Sequence, residues 1–304
     1  MAKVWHDTPD MGNEAVINAV AAPEWIDSVS DPLQQAIHDV LPREVKNLLH
    51  GVWLGHPLHP VLTDIPVGAW TCALALDALD GLSERREFGA AADAVLGIGI
   101  LGALGAAITG ATDWSDTYDR GKKVGLVHGL LNVAATALYT SSFFMRKKKK
   151  TRQTGIALSM LGFAVANASA YLGGHLVFGE QIGIDHTATA DASKPEKFTR
   201  VASATELQEG TPKRVVTDDG VAICMIKRGN DIHAITDTCS HLGGPLSEGK
   251  LDGNVIQCPW HGSRFDVTDG HVVDGPATFP ARRFEVRVVN GEVQVRAENK
   301  QAAG

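Results

Sequence analysis

Two short segments in the last third of the chain each combine one cysteine with one histidine. The first is Cys239-Ser-His241, and the second, after 16 intervening residues, is Cys258-Pro-Trp-His261. Two thiolates and two imidazoles can hold a [2Fe–2S] cluster, in which one iron keeps the cysteines and the other takes the histidines. The spacing therefore predicts a one-electron redox centre, because each segment offers one ligand to each iron.

The ligand types also set the electrical charge of the predicted centre. Two ferric irons, two sulfides and two thiolates sum to zero, whereas two further thiolates would add two negative charges. An electron enters a neutral cluster more easily, so the expected reduction potential is about −150 to +300 mV. A zinc site is the alternative for these residue types, but zinc sites usually pair cysteine with cysteine and histidine with histidine.

Residues 196–298 resemble the Rieske ferredoxin family, and the run from Cys258 to Asp266 is very close to its second ligand loop. The resemblance implies an all-β domain of small antiparallel sheets that carries a [2Fe–2S] cluster. It also implies the ligands and the residues that surround them. The ligands are Cys239, His241, Cys258 and His261, and the surrounding residues are Gly244, Trp260, Ser263 and Phe265.

Some of these positions differ from the respiratory branch of Rieske proteins. Gly244 and Trp260 stand where that branch has two cysteines, so its disulfide between the loops is not expected here. Phe265 replaces a tyrosine that bonds a ligand sulfur, whereas Ser263 is retained and is expected to donate to a bridging sulfide. Because one hydrogen bond to the cluster is lost, we expect a potential toward the lower end of the range.

Turn signals between strand-like runs predict β-hairpins around the ligand segments. They are Gly229-Asn230, between 221–227 and 232–236, and Asn290-Gly291, between 283–289 and 293–296. Short strands joined by glycine-rich turns indicate a small antiparallel sandwich or barrel.

The preceding part of the chain has four apolar runs of about the ~20 residues that a membrane-spanning helix needs. They cover 61–79, 88–109, 124–145 and 154–178. A buried soluble bundle is the alternative. The motif Gly55-His56-Pro-Leu-His59-Pro, followed by Asp64-Ile-Pro, resembles the bacterial membrane family known as domain of unknown function 2231. That resemblance implies a four-helix fold in a bacterial cell membrane and no established activity.

The predicted fold class is therefore multi-domain α + β, with a four-helix transmembrane bundle followed by an all-β Rieske domain. The segment before the bundle is polar and has an amphipathic helical pattern. The predicted domains are an N-terminal segment at 1–50, the bundle at 51–180, a linker at 181–195 and the Rieske domain at 196–304.

Four antiparallel spans bring the starts of the first and third and the ends of the second and fourth to one face. Polar groups in spans often mark functional sites, so we hypothesise a pocket there for a quinone or for a haem held by histidine pairs. The alternative is that these side chains only bond to loops and fix helix ends. The candidates are His56, His59, Asp64, His128 and His175, while Asp77 and Asp93 lie toward the opposite face.

Positive charge predicts the orientation of the spans. The loop 146–152 carries six basic residues and Arg85 and Arg86 add two, against five on the other side. The positive-inside rule places the larger set in the cytoplasm and the Rieske domain on the extracytoplasmic side. The lack of a predicted disulfide and the resemblance to cytosolic ferredoxins favour the cytosol instead.

The predicted function is transfer of single electrons between a membrane donor, for which quinol is one candidate, and a redox partner protein. Alternatives are a redox-sensing membrane protein without turnover and the ferredoxin component of an oxygenase system. Only 43 residues follow His261, and they contain no set of two histidines and a carboxylate for a mononuclear iron. We therefore expect an electron carrier or oxidoreductase subunit rather than a stand-alone enzyme. Charges nearly cancel from residue 186 onward, so binding to nucleic acid is not expected.

Overall fold

A computed structural model of the protein describes residues 11–83, 87–188 and 195–298. Arg85 and Arg86, which enter the predicted orientation, lie outside these ranges, as does part of the predicted linker.

The chain forms two compact units that alternate along the sequence. Residues 1–41 and 59–182 form the helical unit, and residues 42–58 and 183–304 form the sheet unit. The predicted domain boundaries stay a prediction, but the structure adds a feature that the sequence did not indicate. The segment 42–58, which precedes the first apolar run, packs with the sheets.

Long apolar helices make up most of the helical unit. Four helices are long and apolar enough to cross a membrane, which confirms the expected α part of the fold. In chain order the α-helices are α1 Met11–Ala21, α2 Trp25–Val40, α3 Arg43–His50, α4 Leu58–Leu82, α5 Glu87–Ser115, α6 Asp119–Arg146 and α7 Arg152–Phe178. All but α3 lie in the helical unit, and the four long helices are α4 to α7.

Small residues let these helices approach closely. A Cβ atom added to Gly102 of α5 would lie 2.5 Å from Ile65 Cγ2 of α4, and one added to Gly99 would collide with Trp70. Only glycine fits at either position without a shift of α4. Close backbone approach of this kind stabilises helix pairs in lipid, where the hydrophobic effect does not drive association.

The guanidinium of Arg146, at the end of α6, is fully buried and hydrogen-bonded on all three nitrogens. Nη1 donates to Asp77 Oδ1 at 2.7 Å, and Nη2 donates to Ser159 Oγ at 2.7 Å and also to Asp77. Nε donates to Ser142 Oγ at 3.0 Å, and Asp93 lies 3.3 Å from Nη1. Asp77 and Asp93 therefore neutralise a charge inside the bundle, and Arg146 does not belong to the exposed surface of the basic loop.

The sheet unit contains three antiparallel sheets, as the predicted β part of the fold requires. Their orders are β1-β10-β9, β2-β3-β4 and β5-β6-β7-β8. The strands are β1 Thr199–Ser203, β2 Lys213–Val216, β3 Ala222–Arg228, β4 Asp231–Thr236, β5 Lys250–Asp252, β6 Val255–Gln257, β7 Arg264–Asp266, β8 Val272–Asp274, β9 Phe284–Val289 and β10 Glu292–Ala297.

Both predicted hairpins are present in the sheets. Strands β3 and β4 pair from Ile223 to Arg228 around Gly229-Asn230, and β9 and β10 pair around Asn290-Gly291. Asn290 and Gly291 have φ angles of 53° and 79°, which is the left-handed pair that a type I′ turn requires. The first of these turns fixes the register of β3 and β4, and β4 leads to the first ligand segment.

The buried charge network predicts the effect of a substitution in the bundle. We expect Arg146→Met to destabilise the helical unit by about 3–5 kcal/mol, because it leaves the Asp77 carboxylate buried without its cation. Unfolding by a denaturing detergent, followed by circular dichroism, measures the change. Lys148→Met is the matched control at an exposed position of the same loop. If Arg146→Met is as stable as this control, the network does not stabilise the bundle.

Candidate metal centre

The two predicted ligand segments form loops of equal length at the ends of paired strands. Ligand loop 1 covers residues 239–244, between the bridged residues Thr238 and Pro245. Ligand loop 2 covers residues 258–263, between Gln257 of β6 and its pairing partner Arg264 of β7. Each loop is therefore closed at its base by antiparallel pairing.

The same backbone hydrogen bond closes both loops. The N–H of Cys239 donates to the carbonyl of Gly244 at 2.8 Å, and that of Cys258 donates to Ser263 at 2.8 Å. Each cysteine thus bonds to the sixth residue of its own loop. The main chain around the two cysteines is therefore held by the same hydrogen bond in both loops.

A glycine occupies the fifth position of each loop. Gly243 and Gly262 have φ angles of 81° and 77°, a conformation that side chains with a Cβ rarely adopt. Their N–H groups donate back to the carbonyls of Cys239 and Cys258 at 2.9 and 3.2 Å. The glycines turn the chain sharply enough to keep the histidines close to the cysteines.

The two thiols are buried and in contact with each other. Cys239 and Cys258 are 1% and 2% exposed, and the Cys239 thiol donates a hydrogen bond to the Cys258 sulfur. This bond lowers the pKa of Cys258 and, together with burial, raises the pKa of Cys239. Of the two sulfurs, Cys258 is therefore the one on which a thiolate is more favourable.

Backbone N–H groups of the loops also point at the sulfurs. Each cysteine receives two such bonds from residues that follow it in its own loop, and these bonds favour the charged form of sulfur. The donors are His241 and Leu242 for Cys239, and Trp260 and His261 for Cys258.

The two imidazole rings contact each other edge to face. The ring centroids of His241 and His261 lie 4.9 Å apart, with an angle of 84° between the ring planes. Both histidines are partly exposed, whereas the sulfurs are buried. In the described part of the chain, no three His, Cys, Asp or Glu side chains form a group for a single metal ion. The four donors form one sulfur pair and one nitrogen pair, and this division fits a cluster of two irons.

Ser263 and Phe265 line the inner side of the loops. Ser263 is fully buried, and its Oγ accepts a hydrogen bond from the Ala277 N–H at 3.0 Å. Phe265 is also fully buried, in the apolar cluster that contains Cys239 and Cys258. The phenylalanine ring excludes water from the sulfur side without offering a hydrogen bond.

Trp260 lies beside His261 and close to Gly244 of ligand loop 1, while about half of its own surface stays exposed. The side chain is 52% exposed and lies edge to face against His261. A Cβ added to Gly244 would lie 3.0 Å from the Trp260 ring and 2.8 Å from the Cys258 sulfur. Ligand loop 1 can therefore approach ligand loop 2 this closely only because residue 244 has no side chain.

Asp237 is a functional residue that the sequence reading missed. This buried side chain lies two residues before Cys239, and its Oδ1 accepts the N–H of Ser247 at 2.7 Å. Its main-chain carbonyl accepts the N–H of Leu246 at 2.7 Å, and Arg214 neutralises the carboxylate at 3.0 Å. Asp237 thus fixes the base of ligand loop 1. The only local signal was an aspartate two residues before a predicted ligand.

Two histidines of the proposed membrane pocket bond to neighbouring helices. His59 Nδ1 donates to the Ala106 carbonyl at 2.9 Å. His128 Nδ1 donates to the Ser169 carbonyl at 2.8 Å, and its Nε2 accepts from Asn132 at 3.1 Å. Both ring nitrogens of His128 therefore have partners.

The other pocket candidates have separate environments. His175 Nε2 lies 3.1 Å from Glu180 Oε1, and Asp64 is exposed. His56 belongs to the sheet unit, where its ring packs edge to face against Phe279 with 6.1 Å between centroids. The pocket of a quinone or haem stays a prediction.

Comparison with known proteins gives two family matches. The model described as the Rieske [2Fe-2S] domain matches residues 197–287, and that described as a predicted membrane protein (DUF2231) matches residues 55–186. Among curated proteins, ferredoxin CarAc of Metapseudomonas resinovorans is 42% identical over 33% of this chain and 94% of its own length. The ferredoxin component of the p-cumate 2,3-dioxygenase system of Pseudomonas putida is 36% identical over 30% of this chain and 77% of its own length.

A solved structure titled as the complex of reduced oxygenase and oxidized ferredoxin in carbazole 1,9a-dioxygenase matches with 40% identity and a TM-score of 0.33. This match covers 34% of this chain and 97% of that chain. Ferredoxin CarAc aligns over nearly its whole length with a third of this chain, and the Rieske model matches residues 197–287. The chain therefore belongs to the Rieske [2Fe–2S] ferredoxin family, and its Rieske domain follows a DUF2231 membrane domain.

Proposed function

We propose that the protein is a membrane-anchored carrier of single electrons, with Cys239, His241, Cys258 and His261 as the ligands of its [2Fe–2S] cluster. The observation that carries this proposal is the division of donors into a buried sulfur pair and a partly exposed nitrogen pair. When bound, the cluster takes up and releases one electron. The loops keep its sulfur side dry and leave its histidine side open to a partner.

The exposed surface beside His261 is the proposed site of electron exchange. Trp260 offers a large, rigid and half-exposed aromatic surface next to this histidine. Tryptophan is enriched at the centres of protein interfaces. A partner that binds over Trp260 would lie close to the histidine-bound iron. The electron would then not need to cross the protein interior.

The redox partner is proposed to be an oxygenase-type protein. Support comes from the relatives, which include the ferredoxin components of several dioxygenase systems, and from a solved complex of a ferredoxin with an oxygenase. The membrane domain has no counterpart in the aligned part of those relatives. We propose that it holds the cluster domain at the membrane, where its electron donor is found.

Membrane quinol is the proposed donor, and His59 is the proposed proton acceptor. Because His59 Nδ1 donates to the Ala106 carbonyl, Nε2 is the nitrogen with a lone pair. A quinol releases protons when it is oxidised, so a neutral imidazole at the site assists the reaction. Ligation of haem by His128 Nε2 would break its hydrogen bond from Asn132, which favours the quinol hypothesis.

The cluster domain is proposed to lie on the extracytoplasmic side. Lys147, Lys148, Lys149 and Lys150 are all exposed in the basic loop, even though Arg146 and Arg152 pair with aspartates. This loop still has the highest density of basic residues next to the spans, and the positive-inside rule favours its retention in the cytoplasm.

Substitution of a ligand tests the cluster assignment. We expect His261→Ser to abolish the electron paramagnetic resonance signal of mixed cysteine and histidine ligation in the reduced protein. His261→Cys should give a cluster with a lower potential, because a thiolate adds negative charge. Iron and acid-labile sulfide are measured on the same samples. His271→Ser, at an exposed histidine of the same unit, is the matched control. An unchanged signal in His261→Ser would refute the ligand set.

Reduction by quinol tests the donor. In nanodiscs, we expect a ubiquinol analogue to reduce the cluster of the full-length protein, and His59→Leu to slow this reaction at least tenfold. Reduction by dithionite should be equally fast in both proteins, since it bypasses the membrane domain. Val67→Ala, at a 60% exposed position of the same helix that is not a pocket candidate, is the control. If dithionite reduces the wild-type protein and quinol does not, quinol is not the donor.

Labelling in intact cells tests the orientation. We expect a membrane-impermeant maleimide to label Asp219→Cys in the sheet unit and to leave Lys148→Cys in the basic loop unlabelled. Both positions are exposed in the structure. The unsubstituted protein gives the background from the native cysteines. The opposite pattern would place the cluster domain in the cytoplasm.

A further inference from the structure

A segment from the N-terminal side of the membrane helices packs beside the ligand loops. This segment, residues 42–58, is called the strap, and it consists of α3 and the short helix Val52–Leu54 that precedes α4. It contacts the loop that joins β8 to β9 at residues 274–279, which is called the 274–279 loop. The electron transfer proposed above gives no role to the strap.

One asparagine of the strap holds the start of the 274–279 loop from two sides. Asn47 Nδ2 donates to Asp274 Oδ1 at 2.8 Å, and Asn47 Oδ1 accepts the N–H of Gly275 at 2.9 Å. Arg43, one helical turn earlier, adds an ion pair to Asp274 at 3.3 Å. Asn47 thus bonds both to a side chain and to a main-chain group. Its loss would remove the oxygen that accepts the Gly275 N–H.

The strap also packs tightly over this point. His50 is 2% exposed, and a Cβ added to Gly275 would lie 3.2 Å from His50 Cδ2 and 3.2 Å from Val52 Cγ2. The main chain of the 274–279 loop therefore lies directly against the strap, with no space for a side chain between them.

The other side of the 274–279 loop bonds to ligand loop 2. The N–H of Ala277 donates to Ser263 Oγ at 3.0 Å, and both residues are buried. A hydroxyl has one hydrogen to donate, and this bond occupies an acceptor position of Ser263. The serine hydrogen is thereby directed away from Ala277 and stays available for the cluster.

The far end of the 274–279 loop bonds to ligand loop 1. Ser240 Oγ, next to Cys239, donates to the carbonyl of Phe279 at 2.5 Å. The ring of Phe279 in turn contacts His56 of the strap. The 274–279 loop thus connects the strap with both ligand loops.

We propose that the strap positions the cluster site, and that Asn47 is its positioning residue. Asn47 fixes Asp274 and Gly275, these residues fix Ala277, and the Ala277 N–H orients the Ser263 hydroxyl toward the cluster. A hydrogen bond to the cluster stabilises its reduced, more negative form. Loss of Asn47 should therefore make reduction less favourable. This inference rests on the proposed ligand set.

The test is the reduction potential of full-length Asn47→Ala in nanodiscs, measured by redox titration. We expect the equilibrium constant for reduction to fall about tenfold, which is about 59 mV for one electron. Iron content and the mixed-ligand resonance signal should be retained, which separates the effect from loss of the cluster. Asn47→Asp, which places a second carboxylate against Asp274, should shift the potential in the same direction.

Leu48→Ala is the matched control, because Leu48 follows Asn47 on the same helix and is 56% exposed. Its potential should equal that of the wild-type protein. Ser263→Ala tests the route: in this background, Asn47→Ala should cause no further shift, since the two residues act through one hydrogen bond. Wild-type potentials in both Asn47 variants, or additive shifts with Ser263→Ala, would overturn the inference. Absence of the mixed-ligand signal from the wild-type protein would instead refute the ligand set.

Discussion

Two irons can be shared by two thiolates and two imidazoles only if two separate loops keep a fixed distance from each other. The covalent solution, a disulfide between the loops, is not available here, because Gly244 and Trp260 face each other where the respiratory branch has cysteines. The loops are held instead by close packing. The absence of a side chain at Gly244 lets the Trp260 ring and the Cys258 sulfur approach, so the fit of these groups replaces a covalent bond. The backbone hydrogen bond from the N–H of each cysteine to the last residue of its loop also holds the cysteines in place.

This arrangement also governs the electrostatics of the site. Burying two thiolates is unfavourable unless they are hydrogen-bonded or bound to metal. The loops supply two backbone N–H groups to each sulfur, and the irons of the proposed cluster would supply the remaining positive charge. The two histidine side chains, in contrast, are partly exposed to water. An arrangement with the sulfurs buried and the imidazole nitrogens near the surface therefore has the lower free energy cost of burial. It also leaves the electron a short path to the surface.

The sequence predicted those features that depend on local patterns. Cys239, His241, Cys258 and His261 are close in sequence within each loop, and the hairpin turns are set by two residues each. Helix α4 and the three that follow it were visible from length and composition. The Arg146 network was not, since its aspartates lie 69 and 53 residues away and only folding brings them together. A basic residue beside a run of four lysines gave no sign that it would be buried.

Asn47 shows the same limit more sharply, because 227 residues separate it from Asp274. Its helix lies in the N-terminal segment with the amphipathic pattern, and that pattern does not indicate a loop of the sheet unit as its partner. The connector after α7 behaves alike: His186 donates its N–H to the Ser240 carbonyl at 3.2 Å, and Arg282 bonds to Thr187 at 3.1 Å. Within the sheet unit, the strap thus reaches the ligand loops through the 274–279 loop, whereas the segment after α7 bonds directly to Ser240 of ligand loop 1. In the proposed scheme, these contacts let the segments that flank the cluster domain contribute to the geometry of the redox centre.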